Sequence, residues 1–235
     1  MSSQSDAVSV GENVTVAVRV RPLSKKEQAT NERIIWDVPV VTDPGKIQLE
    51  PEYCQRTNKQ LQEYRFGIDL LHCNINMLAK LRSANVDQAF SGSDNLALYD
   101  QCVGDLVWSV MEGLNGTVFA YGQTSSGKTY TMTGVEGQPG VIPQAIEDVF
   151  AYIKEASANK EFLLRVSYIE IYNETVRDLL AVEQTDLRIH EDKKRGVYVA
   201  PLKEVVVTSP KAVLSLLNEG ECTLPSFLIF SRKGG

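Results

Sequence analysis

The chain has 235 residues, 43% of them hydrophobic and 23% charged, with a net charge of −6. This is an ordinary globular composition, sufficient for one domain with a substantial core. The acidic balance argues against nucleic acid as a partner, since phosphate binding needs a concentrated basic surface, and no apolar run approaches the length of a membrane span.

The chain opens on "MSSQSDAVSVGEN". It lacks the basic start and apolar core of a secretory signal, so a soluble intracellular protein is expected. Residues 1–12 read as a disordered tail. Val14–Pro22, "VTVAVRVRP", is valine-rich strand material stopped by Pro22. "LSKKEQATNER" reads as polar connector. "IIWDVPVV" and "KIQLEP" read as short strands around the turn signal "TDPG". Gly67–Asn85 shows some helical spacing (Leu70, Leu71, Met77, Leu78, Leu81) without clear caps. Asp94–Gly113 is a clearer helix: Asp94 fits the N-cap, Leu98, Cys102, Leu106 and Val110 recur every fourth residue, and Gly113 is the stop.

Thr117–Tyr121, "TVFAY", has the uniform apolar character of a strand buried on both faces of a parallel sheet. A helix is expected from near Gly127 to Met132, interrupted by "GVEGQPG". "VIPQAIEDVFAYIKEAS" then carries Ile142, Ile146, Val149, Phe150 and Ile153 on one helical face. "EFLLRVSYIEIYNE" is a long β-rich run. "LRIHED" and "GVYVAPLKEVVV" are further strand material. "TSPKAVLSLLNEG" is a capped helix, with Ser209 at the N-cap, Pro210 in the first turn and Gly220 as the stop. "ECTLPSFLIFSRKGG" is apolar, then basic. The alternation of strands and helices indicates an α/β fold around a central sheet. Cys54, Cys73, Cys102 and Cys222 form no CxxC pair and read as buried or idle thiols; His72 and His190 read as structural or exposed.

"GQTSSGKT", Gly122–Thr129, fits G-x-x-x-x-G-K-S/T. Glycines let the backbone wrap phosphate oxygens without Cβ clashes. Backbone N–H groups and the positive end of the following helix face the anion. Lys128 supplies a cation for the β and γ phosphates, and Thr129 a hydroxyl for Mg²⁺. The strand-like run before the loop and the helix after it are the context such a loop requires. A glycine–serine turn with an incidental lysine is the bland alternative. Tyr130 can stack on a base or simply pack its helix. Arg19 and Pro22 can face a nucleotide or simply end a strand.

"VAVRVRPL", "NGTVFAYGQTSSGKTYTM", "GVIPQAI", "FLLRVSYIEIYNETVRDLL" and "GVYVAPLKEVVV" occur in that order. Together they resemble the kinesin motor domain, most closely the plant-type subfamily related to centromere protein E, over roughly Val14–Phe66 and Val86–Glu221. The resemblance implies a P-loop NTPase with a central, mostly parallel β-sheet flanked by helices, here truncated. It implies an ATPase that moves along microtubules in the cytoplasm, with ATP and Mg²⁺ as cofactors and tubulin as partner, and with neither nucleic acid nor membrane. By position, Arg19 and Pro22 border adenine with Tyr130 against its ring. Gly122, Gln123, Thr124, Ser125, Ser126, Gly127, Lys128 and Thr129 wrap the phosphates. Lys128 and Thr129 are then the catalytic residues and Thr129 the metal ligand. The tyrosines of "YIEIYNE" and Glu170 are expected to be structural.

Two departures qualify the resemblance. In the family "YRF" runs almost directly into "DxxF", but here Gly67–Asn85 intervenes; without it the sequence reads "EYRFVDQAFSGSDN". After "LNEGE" the family continues into "NxxSSRSH" and later "DLAGSE", and neither string occurs in this chain. Those segments sense the γ-phosphate and convert its loss into motion. The expectation is therefore a partial motor domain at 13–221 that binds nucleotide with little turnover and little microtubule affinity. In the family, strands from the segment beyond this match flank "TVFAY". Here that run is expected to have its apolar faces uncovered.

Overall fold

The computed structural model describes residues 14–34, 36–38, 46–57, 63–65, 87–156, 160–193, 196–221 and 227–231. The expected tail at 1–12, the "TDPG" turn and the insert Gly67–Asn85 lie outside them, as do Cys73 and Cys222. The chain divides into two compact units: Met1–Ser93 with Tyr121–Ser126, and Asp94–Ala120 with Gly127–Gly235.

In the first unit, β1 (Ala17–Val20) is four residues long because Pro22 follows it. Helix α1 (Lys25–Ala29) lies within the stretch expected to be connector. Its signal is the capping box Ser24-x-x-Glu27: the Ser24 hydroxyl accepts from the Glu27 N–H and the Glu27 carboxylate accepts from the Ser24 N–H. Strands β2 (Trp36–Asp37), β3 (Lys46–Leu49) and β4 (Glu63–Arg65) form an antiparallel sheet in that order. Pro51 opens a second unexpected helix, α2 (Pro51–Thr57), which buries Cys54. Strand β5 (Gln88–Ser91) pairs in parallel with β1, with Ala17 opposite Gln88 and Val20 opposite Ser91. Val16, Val18, Ala89 and Phe90 are buried along this pair.

The second unit begins with the expected helix, but as two pieces: α3 (Asn95–Cys102) and α4 (Gly104–Met111). They meet at Val103, whose φ of −123° leaves the helical region. A β-branched residue followed by glycine is the weakest point of this helix. Asp94 caps it as expected, accepting from the Ala97 N–H at 3.0 Å, and Gly113 ends it with φ +117°. Thr117–Tyr121 is a correction: it forms no strand, and Val118, Phe119 and Tyr121 are 37%, 50% and 49% exposed. A strand exists only with a partner, and no described strand pairs with this run. The expected uncovering of its apolar faces is what the structure displays.

Helix α5 (Lys128–Met132) follows, then a small hairpin of β6 (Gly134–Val135) and β7 (Gln138–Pro139), then α6 (Val141–Ala156). Gly134 and Gly140 are required here: a Cβ on either would fall within 2.7 Å of backbone atoms of the other side of the hairpin base. Strand β8 (Leu164–Tyr172) turns through Asn173 and Glu174, both at positive φ, into β9 (Thr175–Asp178). Strands β10 (Thr185–Asp192), β11 (Gly196–Ala200) and β12 (Val205–Val207) follow, then helix α7 (Pro210–Glu221), and β13 (Phe227–Ser231).

The sheet runs β11-β10-β9-β8-β12, with β13 also on β8, and all its pairings are antiparallel. Among the described residues the parallel pairing, expected for most of the sheet, is confined to β1 and β5. Short hairpins join β8 to β9 and β10 to β11, and hairpins impose antiparallel neighbours. Val166 pairs with Val205 on one edge and Phe230 on the other, so the C-terminal strand covers the edge of β8 away from β12. The period-two alternation of β8 divides the core. Val166 and Tyr168 join Ile146, Leu179, Val207, Val213 and Leu217 on the side of α6 and α7. Ile169 joins Val176 and Leu187 on the opposite face. Ser209 caps α7 as expected, through the Ala212 N–H at 3.3 Å. Gly220 does not stop that helix; it lies inside it.

Candidate nucleotide site

The residues singled out in the sequence fall into both units, and each group is described within its own. In the first, β1 carries Arg19, which is buried. Its Nε donates to the Gly92 carbonyl at 3.0 Å, tying β1 to the turn after β5. Pro22 follows two residues after the strand and is exposed. Its carbonyl accepts from Nη1 of Arg21 at 2.8 Å. Arg21 also grips the Glu27 carboxylate with both terminal nitrogens, each at 2.7 Å. That contact, strengthened by the Ser24 donors, holds the Glu27 carboxyl far below the usual carboxylate range. The same hydrogen bond raises the Arg21 guanidinium above its ordinary value.

Gly122–Ser126 is the loop's first part. The Ser126 N–H donates to the Gln123 carbonyl at 3.2 Å, closing a tight turn. Ser125 sits in the left-handed region with φ +65°. Ser126 is 6% exposed, and among the described residues its buried hydroxyl has no hydrogen-bond partner. A buried hydroxyl in that condition is rare enough to require an explanation.

The loop continues in the second unit. Gly127, left-handed at φ +102°, opens α5 without a side-chain cap. Its carbonyl accepts from the Thr131 N–H at 2.9 Å. Lys128 is half-buried and Thr129 exposed. The Tyr130 hydroxyl donates to Oε1 of Gln138 on the β6–β7 hairpin. The Tyr130 carbonyl accepts from the Asn95 amide at 3.0 Å. Asn95 is itself buried, and Gln144 donates to its carbonyl and to those of Pro139 and Gly140. Asn95 and Gln144 thus fix the end of the loop helix to the hairpin base. The bonds from Asn95 to Tyr130 and from Gln144 to Asn95 span 35 and 49 residues, so no local sequence pattern signals them.

Within each unit the groups are of the kind a polyphosphate takes: the hydroxyls of Ser125 and Ser126 in the first, and Lys128, the Thr129 hydroxyl and the left-handed Gly127 in the second. They offer a bare cation little. Among the described residues no cluster of three His, Cys, Asp or Glu side chains could hold a metal, so Mg²⁺ would need oxygens from the nucleotide besides Thr129. His190 stacks on Tyr198, with ring centroids 5.5 Å apart. No helix of the described residues is long and apolar enough to cross a membrane.

The family model described as the kinesin motor domain matches residues 19–223. Kinesin-like protein KIN-7N of Arabidopsis thaliana is 40% identical over 211 residues, which are 89% of this chain and 22% of that protein. Kinesin-related protein 11 of Dictyostelium discoideum is 56% identical over 131 residues, covering 54% and 19%. Among solved structures, a fast kinesin superposes with a TM-score of 0.69 at 32% identity, covering 88% of this chain and 52% of that one. A KIF14 dimer, in its two-heads-bound state with AMP-PNP and a microtubule, gives 0.71 at 30% identity, covering 89% and 54%. The chain therefore spans less than a quarter of these two curated relatives and about half of the solved chains. With its α/β architecture and its phosphate-loop string in place, this chain belongs to the kinesin motor-domain family.

Proposed function

We propose that this chain is the nucleotide-binding part of a kinesin motor. It takes Mg·ATP, and its parent couples ATP hydrolysis to movement along microtubules of the cytoskeleton. The observation that carries this reading is Gly122–Thr129 itself. Its string fits a phosphate loop, its Gly127 is left-handed, its helix opens at Lys128, and its Ser126 hydroxyl is buried without a partner among the described residues. In this reading the backbone of Gly122–Gly127 wraps the phosphates and Lys128 neutralises their charge. Thr129 donates its oxygen to Mg²⁺, which would supply charge stabilisation to the transferring phosphoryl group. Tyr130, Arg19 and Pro22 serve the adenine end. Arg19 acts there from within the β1–β5 pair, since its side chain is buried. The finer placement, in the plant-type subfamily related to centromere protein E, rests on the quoted strings alone; the relatives named above carry KIN-7N and Dictyostelium names.

A second reading has its own observation. The exposure of Val118, Phe119 and Tyr121 leaves the run before the loop without a sheet. A loop on such a base binds nucleotide more readily than it turns it over, since phosphoryl transfer depends on rigid positioning. Calorimetric titration of the purified chain with ATP, with and without Mg²⁺, tests the first reading; no heat of binding would end it. Microtubule-stimulated phosphate release separates the two, and turnover near that of a full motor would remove the second.

A further inference from the structure

The turn that follows β1 is more tightly bound than a strand end requires. Arg21 reaches in two directions at once. Its Nη1 donates to the Pro22 carbonyl at 2.8 Å and to Oε2 of Glu27 at 2.7 Å, while Nη2 donates to Oε1 of Glu27 at 2.7 Å. Oε2 of Glu27 also accepts from the Ser24 N–H at 2.7 Å. The Leu23 carbonyl between them accepts from Nε2 of Gln28 at 3.0 Å. So the carbonyls of Pro22 and Leu23 and the N–H of Ser24 are all taken, and Pro22 has no N–H to satisfy. Bidentate arginine–carboxylate geometry of this kind fixes orientation as well as distance. Yet the side chains concerned are only partly covered, at 24% and 33% exposure, where an ion pair contributes little stability. Glu27 closes the capping box of α1, and its grip on Arg21 goes beyond that box by also holding the backbone at Pro22, whose ring is exposed.

We propose that Glu27 is a positioning residue for the purine base: through Arg21 it fixes the backbone at Pro22 and so holds the Pro22 ring as a preformed wall for the base. This rests on the nucleotide reading given above. The clamp also commits the Arg21 guanidinium to a carboxylate, so its charge is spent within this turn. Holding a wall in its bound shape before the ligand arrives removes an ordering cost from binding, and that saving falls on the base and not on the phosphates.

The test compares two probes on the full 235-residue chain, ATP and inorganic tripolyphosphate, both with Mg²⁺, by calorimetry. Glu27→Gln keeps the size of the side chain and removes the charge that grips Arg21. The expected result is a loss of about fivefold in ATP affinity, the size of one side-chain ordering cost, with tripolyphosphate affinity unchanged. Retained tripolyphosphate binding shows that the variant is folded around its loop. Arg21→Met should give the same pattern, and the double variant should lose no more than either single one, since both break one clamp. Unchanged ATP affinity in Glu27→Gln would overturn the proposal. An equal loss for both probes would overturn it too, by showing a structural role only. If the unaltered chain binds tripolyphosphate but discriminates nothing in favour of ATP, the positioning role falls while the phosphate loop stands. If it binds neither, the nucleotide reading itself falls and takes this proposal with it.

Discussion

A Cβ at Gly220 would stand 2.6 Å from both Cδ1 and Cε1 of the Tyr168 ring. Helix α7 therefore meets β8 through a missing side chain, and Tyr168 is buried in the main core cluster at that contact. Gly220→Ala sets two effects against each other. Alanine favours the helix by about 1 kcal/mol. The clash with a packed ring that cannot swing aside costs about 1–3 kcal/mol. The clash is expected to win, so urea unfolding should show a net destabilisation of about 1 kcal/mol. A variant more stable than the parent would mean that the ring yields.

Asp178 is buried to 1% exposure, and its two oxygens are each committed to a backbone donor. Oδ1 accepts from the Leu180 N–H at 2.8 Å and Oδ2 from the Lys203 N–H at 2.7 Å. The second bond spans 25 residues and brings the chain back to the end of β9 after the β10–β11 hairpin. Asp178→Ala leaves the N–H groups of Leu180 and Lys203, both in partly buried bonds, without acceptors, at about 1–2 kcal/mol each. A loss of about 2–4 kcal/mol is expected in chemical denaturation. Asp178→Asn should recover only part of it, because its amide presents one oxygen and one donor to two donors. Equal stability of Asn and Asp at this position would refute the two-acceptor account.

These two contacts also show what the sequence could and could not disclose. Helices α6 and α7 are legible because each buries one face, and burial writes its period into the order of residues, as in Ile142, Ile146 and Phe150; strand β8 is legible from its long β-rich run, which feeds cores on both faces. The phosphate-loop string Gly122–Thr129 is legible because its pattern is local. Helix α1 was equally written, in Ser24-x-x-Glu27, and was overlooked because none of its residues is buried. Asn95, Gln144 and Asp178 each make at least one bond to a partner 25 or more residues away, and no local pattern carries that part of their role. Gly220 was read as a stop because glycine has two uses, a free φ and an absent Cβ, and only the neighbouring ring distinguishes them. "TVFAY" has every residue of a buried strand, yet strand character belongs to a pair of segments and not to one.

Ser125 sits at φ +65° inside the candidate loop Gly122–Thr129. That region costs an L-residue about 1–2 kcal/mol and glycine nothing. Ser125→Gly relieves the strain but raises the entropy of the unfolded chain, which returns up to about 1 kcal/mol. The expected balance is a gain of about 0.5–1 kcal/mol in thermal unfolding, read at fixed pH and without nucleotide. A loss of the same size would show that the Ser125 side chain stabilises the loop by more than its backbone strains it.

Tyr99 on α3 donates its hydroxyl to Oδ2 of Asp148 on α6 at 2.6 Å, and its side chain is buried. Burial pushes the phenol well above its ordinary range, and the hydrogen bond and charge of Asp148, with the charge of Asp100, push it further in the same direction. In the unfolded chain the same group ionises near pH 10. The folded form therefore holds a proton that the unfolded form has lost once the pH passes that value. By linkage the contribution of Tyr99 is complete below about pH 10 and declines as the pH rises beyond it. Tyr99→Phe should be less stable than the parent at pH 8, by about 1–2 kcal/mol, because Asp148 loses its donor. That gap should narrow as the pH is raised past 10, since phenylalanine has no proton to lose. Denaturation curves for both proteins from pH 8 to the alkaline limit of solubility measure it. A gap that stays constant, or widens, would mean that the Tyr99 phenol is not held protonated by the contact between α3 and α6.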